Sequence, residues 1–144
     1  MRKKNLVCAG LAFLVILIAA YFGATIHSSK TNDIISYLNE FEHINYYDAA
    51  LIPQLNFQAA LVSLPLILAI LVFEIIIAFK TQIRQVKNLA FGASLAIIIV
   101  IVFDVLTLMN PFDFDFSQWG YVWITMGAII VTANLVSVFV KGNA

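Results

Sequence analysis

Residues 57–79 read FQAALVSLPLILAILVFEIIIAF, an apolar stretch that contains one charged residue, Glu74. A helix needs about 20 such residues to cross the hydrocarbon core of a bilayer, where unpaired backbone groups find no partner. Working outward, similar runs occur at about residues 6–26, 89–109 and 119–140. The sequence therefore predicts an all-α integral membrane four-helix bundle that occupies the whole chain as one transmembrane domain.

The composition independently argues against a water-soluble fold. Of the 144 residues, 62% are hydrophobic and 11% are charged, and the mean hydropathy is +0.98. An ordinary soluble domain has about 25% charged residues. The formal net charge is zero, so the chain lacks the basic excess that nucleic-acid binding requires. We expect the lipid bilayer to be the solvent for most of the surface, and no direct binding of nucleic acid.

The eight basic and eight acidic residues are sorted between the two sides of the membrane. Four spans place the chain ends and the 80–88 link on one side, which carries seven basic residues: Arg2, Lys3, Lys4, Lys80, Arg84, Lys87 and Lys141. The other side carries Lys30 and six acids: Asp33, Glu40, Glu42, Asp48, Asp113 and Asp115. The positive-inside rule then predicts a multi-pass protein with both termini in the cytoplasm. The single cysteine and the absence of an Asn-x-Ser/Thr sequon suit a bacterial inner membrane.

The first outer loop, residues 27–56, is long for so small a bundle. Thr31 or Asn32 can cap a helix, and the following apolar residues recur with a helical period. We expect a short amphipathic helix that lies on the membrane or caps the bundle. It serves either as a lid over the span ends or as a surface for a partner.

The second outer loop, residues 110–118, alternates phenylalanine with aspartate. An extended segment would place the aromatic side chains on one side and the carboxylates on the other. The simpler interpretation is an interfacial aromatic belt with solvated acids. The functional interpretation is a recognition surface for a partner or a cation, formed by Phe112, Asp113, Phe114, Asp115, Phe116 and Trp119.

Three polar residues lie inside the apolar runs: Glu74, Asp104 and Asn134. An acid at mid-membrane costs roughly 2.5–3.5 kcal/mol on insertion scales, so each acid requires an explanation. Glu74 lies six residues before Lys80, and Asp104 lies six before Asn110, which places the two acids in opposite leaflets and excludes a direct pair. Asn134 lies near the depth of Glu74, so a hydrogen bond between them is predicted. Each acid is either a hydrogen-bonded structural group or a carrier of protons or cations.

The helical period groups the small and polar residues of three spans on faces that should point into a bundle or an oligomer interface. The first face contains Ser63, Ile67, Ile70, Glu74 and Ala78; the second contains Ala90, Ala93, Ile97, Asp104 and Thr107; the third contains Trp123, Gly127, Ile130, Asn134 and Ser137. Small residues four apart, such as Ala128 and Thr132, also permit close approach between helices.

No motif for catalysis, metal binding or phosphate binding is evident, so neither an enzyme nor a cofactor is expected. The leading interpretation is a non-enzymatic inner-membrane subunit that forms a homo-oligomer or joins a larger membrane complex. It would act as an accessory, sensing or defence/immunity-type component. Its outer loops, or its basic inner face (Arg2, Lys3, Lys4, Lys80, Arg84 and Lys87), would dock a partner, including a cytoplasmic protein. The alternative is a small proton- or cation-coupled transporter or channel that uses Glu74 and Asp104.

Overall fold

A computed structural model describes residues 2–39, 46–111 and 116–142, with side chains described at 2–28, 53–111 and 120–142. Its four α-helices are α1 (Arg2–Asn39), α2 (Tyr46–Lys80), α3 (Arg84–Met109) and α4 (Phe116–Phe139), and the described residues contain no strand. Each helix includes a segment long and apolar enough to cross a membrane: Arg2–Ser28, Pro53–Lys80, Arg84–Met109 and Gly120–Phe139. The prediction of an all-helical bundle with four membrane-spanning helices is confirmed.

The helices form a closed ring in chain order. Each helix packs against the next, and α4 packs against α1 more extensively than any other pair in the bundle. Helices that follow one another in a chain and pack side by side run antiparallel, so the bundle alternates up and down. The start of α1, the junction of α2 with α3 and the end of α4 therefore lie at one end of the bundle, and the basic residues Arg2, Lys3, Lys4, Lys80, Arg84, Lys87 and Lys141 lie there.

The residues predicted to face inward from α2, α3 and α4 are buried in the bundle. All fifteen residues assigned to the three faces are buried. Large apolar side chains point outward instead, among them Leu61, Val72, Leu95, Val102 and Phe139. This distribution is expected when lipid surrounds the bundle, because apolar side chains facing hydrocarbon lose nothing by exposure.

α1 and α4 approach each other closely at Gly127. A Cβ atom added to this glycine would lie 2.6 Å from Cγ1 of Ile16 and 3.9 Å from the carbonyl oxygen of Ala12. The missing side chain therefore allows Ile16 to pack directly on the backbone of α4, as small residues do at helix interfaces in membranes.

The predicted amphipathic helix of the first outer loop is not a separate element. α1 continues without interruption to Asn39, because no proline or glycine lies between Gly23 and that residue to end the helix. Thr31 and Asn32 accordingly lie within α1 and do not cap a new helix. The loop is also shorter than expected, since α2 already begins at Tyr46.

Two other boundaries differ from prediction. α3 begins at Arg84 and α4 at Phe116, whereas the apolar runs suggested starts near 89 and 119. Polar residues at the ends of spans can remain helical outside the hydrocarbon, so hydropathy marks the apolar part of a helix and not its ends. Phe116 and Trp119 are thus helical residues and do not belong to an extended loop.

Candidate functional site

The first buried polar group lies toward the basic end of the bundle and joins three helices. Asn134 on α4 donates a hydrogen bond from Nδ2 to Oε1 of Glu74 on α2, at 2.5 Å. The thiol of Cys8 on α1 lies close enough to interact with the same carboxyl group. All three residues are almost completely buried. We call Cys8, Glu74 and Asn134 the Glu74 layer.

Asn134 also anchors itself to its own helix. The same Nδ2 atom donates to the carbonyl oxygen of Ile130, one turn earlier, at 2.8 Å. The amide is therefore held by its own helix while it reaches α2. Such a side chain links helices in lipid, where an unpaired polar group has no water to replace its partner.

The second buried polar group lies toward the opposite end. Ser63 on α2 donates a hydrogen bond from Oγ to Oδ2 of Asp104 on α3, at 3.0 Å. The indole of Trp123 on α4 lies close enough to act on this carboxyl group, but its N–H does not reach hydrogen-bond geometry with Oδ1. Among the buried side-chain nitrogen and oxygen atoms of the described residues, Asp104 Oδ1 and Trp123 Nε1 lack a partner. We call Ser63, Asp104 and Trp123 the Asp104 layer.

The two layers are well separated. Ser63 and Glu74 are eleven residues apart on α2, which corresponds to roughly 16 Å along the helix axis. The space between the layers is apolar: a cavity of about 10 Å³ is lined by Ala12, Val15, Ile67, Ile70, Ile97, Val100, Trp123, Gly127 and Ile130. That volume is at the lower limit for one water molecule, and an apolar lining offers such a water no partners. No polar path connects the two acids through the described residues.

The predicted hydrogen bond between Glu74 and Asn134 is therefore confirmed, as is the separation of Glu74 from Asp104. The partners Cys8, Ser63 and Trp123 were not predicted, although Ser63 and Trp123 were placed on inward faces. A search for polar residues at equal depth in neighbouring antiparallel spans could have found Ser63, because it lies six residues from the start of the predicted run at Phe57 and Asp104 lies five residues from the end of the next run at Met109.

The remaining predictions concern the second outer loop, the basic residues and metal binding. Phe112, Asp113, Phe114 and Asp115 lie outside the described residues. The six residues predicted to form a basic face lie at one end of the bundle, at the start of α1, the end of α2 and the start of α3. Among the described residues no group of three or more His, Cys, Asp or Glu side chains is placed to bind a metal ion.

Comparison of the chain with models of protein families, with curated proteins and with solved structures yields no match. The class of the protein therefore follows from its fold and from the two buried layers. It is a multi-pass membrane protein, an antiparallel four-helix bundle that carries one acid toward each end of its interior.

Proposed function

We propose that the protein is a non-enzymatic subunit of a bacterial inner membrane, with both termini in the cytoplasm, and that it acts by associating with a second copy of itself. The observation that carries the proposal is a lipid-facing groove of about 430 Å³ lined by small and medium side chains. Its residues are Leu89, Thr125, Ala128, Ile129, Thr132, Ala133 and Val136. One residue comes from α3, and the remainder form one face of α4.

The groove has the properties of a helix-docking surface in a membrane. Ala128 and Thr132 are exposed and four residues apart, so they present a shallow face on which another helix backbone can approach closely. The hydroxyl of Thr125 donates a hydrogen bond to the carbonyl oxygen of Tyr121 at 2.8 Å. Because this donor already has a partner within α4, the groove can face either lipid or another helix. A closed dimer is the commonest assembly of a single chain.

The buried layers support a structural role for the two acids. Glu74 contacts partners on two other helices, and Asp104 is held by Ser63. Interhelical hydrogen bonds of this kind fix which helices pack together and in which register. In this proposal the acids build a rigid bundle, and the outer surface provides the function.

Self-association is tested by energy transfer or single-molecule photobleaching of labelled protein in liposomes, over a series of protein-to-lipid ratios. We expect a dimer whose fraction falls about tenfold in Ala128→Leu, because the larger side chain fills the groove. Ala20→Leu is the matched control, since Ala20 is equally lipid-exposed but lies on α1. A protein that stays monomeric at every ratio, or equal loss in both variants, contradicts the proposal.

The unpartnered Oδ1 of Asp104 favours a second candidate, a small proton- or cation-coupled transporter or channel. Ionisable groups inside membrane spans often mark pathways for ions or protons. A flux assay in liposomes with Asp104→Asn and Glu74→Gln tests it. Flux by the wild type that is lost in either variant supports transport, whereas an absence of flux, or flux unchanged in both variants, removes the acids from any such mechanism.

A further inference from the structure

Seven basic residues gather at one end of the bundle, which we call the basic end: Arg2, Lys3, Lys4, Lys80, Arg84, Lys87 and Lys141. Five of them are exposed, and Lys4 and Lys87 are partly exposed. The residues come from three segments of the chain. Gly142 brings the last segment against the link between α2 and α3, since a Cβ atom added there would lie 3.8 Å from Cδ1 of Ile83.

The chain places no acidic residue at the basic end. Residues 2–8, 80–92 and 134–142 contain no aspartate or glutamate. The nearest acid is Glu74, which is 1% exposed and accepts a hydrogen bond from Asn134. The positive charge of this surface is therefore not balanced by acids of its own chain.

Five of the seven cations are also unfavourably placed with respect to their helices. Arg2, Lys3 and Lys4 open α1, while Arg84 and Lys87 lie in the first four residues of α3; neither helix has an acid in its first turn. The N-terminus of a helix carries partial positive charge, so cations there are destabilising. At α3 the capping residue is Ile83, whose side chain makes no capping hydrogen bond. An anion from outside the chain would offset this repulsion at both helices.

We propose that the basic end binds the headgroups of anionic phospholipids. The surface lies where the spans leave the hydrocarbon, because Lys80 is the last residue of a candidate span and Arg84 is the first of the next. At that depth phospholipid phosphates are the anions in immediate reach, and basic residues beside membrane spans bind anionic lipids. The inference depends on the membrane-spanning fold and not on self-association.

The test measures the lipids retained by purified protein. Protein in a neutral detergent is equilibrated with equal amounts of phosphatidylglycerol and phosphatidylcholine of identical acyl chains, and bound lipid is counted by native mass spectrometry. We expect phosphatidylglycerol to be preferred, and the preference to fall by about tenfold or more in Lys80→Gln/Arg84→Gln/Lys87→Gln. It should also weaken as salt is raised, because exposed charges are screened.

Two further variants keep the result interpretable. Lys30→Gln removes the basic residue of the opposite side and should retain the preference. Arg2→Gln/Lys3→Gln alters exposed residues of a terminal helical turn, so it should lower the preference even if the triple variant fails to fold. Equal retention of both lipids by the wild type, or equal effects of Lys30→Gln and the basic-end variants, overturns the proposal.

Competition distinguishes the lipid from other anions. Inorganic phosphate and a short DNA duplex are added separately at the same phosphate concentration as the lipid. We expect neither to reduce retained phosphatidylglycerol by more than about twofold, because a headgroup is held at the surface by its own acyl chains. Complete displacement by phosphate would identify a soluble-anion site, and complete displacement by the duplex a nucleic-acid surface; either result refutes lipid binding.

Discussion

Asn134 on α4 donates its amide hydrogen bond to Glu74 on α2, and these two helices are not neighbours in the ring of the bundle. The hydrogen bond therefore crosses the interior of the bundle and links two helices on opposite sides of the ring. Cys8 on α1 lies close enough to interact with the same carboxyl group, so three of the four helices meet at this acid. We therefore expect substitutions in the Glu74 layer to lower the free energy of unfolding by a measurable amount.

Asn134→Ala should lower the free energy of unfolding by about 1–2 kcal/mol, because it removes an interhelical hydrogen bond in an apolar interior. The measurement is titration of the folded protein with sodium dodecyl sulfate, followed by circular dichroism. Leu135→Ala is the matched control, since Leu135 is the next residue and faces outward. Equal losses in both variants would show that the bond contributes nothing specific.

Two substitutions of Glu74 separate the effect of its carboxyl group on stability from the effect of its side-chain volume. Glu74→Gln keeps an acceptor for Asn134 and removes an acid from the apolar interior, so it should be as stable as the wild type or more stable. Glu74→Leu keeps the approximate volume but no acceptor, and should be less stable by about 1 kcal/mol. If the glutamine and leucine variants lose equal stability in the same titration, the carboxyl group itself is required.

The Asp104 layer predicts unequal losses of stability on substitution of two of its members, Ser63 and Trp123. Ser63→Ala removes the donor to Asp104 Oδ2 and should cost about 1 kcal/mol or more of unfolding free energy. Trp123→Phe removes a buried N–H that has no partner, so it should cost less than Ser63→Ala despite deleting more atoms. A larger loss in Trp123→Phe would mean that the indole N–H is bonded in the folded protein.

Hydropathy and helical period were sufficient to predict the four spans and the inward faces of α2, α3 and α4. These features depend on the contrast between apolar and polar side chains, which can be read from the sequence of each span alone. The bond between Glu74 and Asn134 was predictable because the two residues lie at similar distances from charged span ends, six residues from Lys80 and seven from Lys141. The connection of α1 to the same group was not, since Cys8 looks like any small apolar residue in a span.

The ends of the helices were harder to predict than their middles. The length of α1 beyond Ser28 depends on backbone continuity outside the membrane, where polar residues can be helical or irregular with little difference in free energy. The orientation of the bundle in a membrane and its partners are not encoded in the contacts within one chain.

Gly127→Ala should destabilise the contact between α1 and α4 by about 1–3 kcal/mol, because the added methyl group would overlap Ile16. Gly92→Ala is the matched control: nothing lies within 4 Å of a Cβ atom at that position, and alanine has the higher helix propensity. The double variant Gly127→Ala/Ile16→Ala should recover part of the loss in unfolding free energy. Equal stabilities of Gly127→Ala and Gly92→Ala would contradict the close approach.

The positive-inside orientation predicts which ends of the helices are open to the cytoplasm. The native Cys8 is completely buried, so it should resist a membrane-impermeant maleimide until the protein is denatured. In a Cys8→Ala background, Gln82→Cys and Ser28→Cys place single thiols at exposed positions on opposite ends of the bundle. In intact bacterial cells with a permeabilised outer membrane, Ser28→Cys should react and Gln82→Cys should react only after the inner membrane is opened. The reverse pattern would invert the topology, and with it the side of the membrane on which the basic end meets lipid.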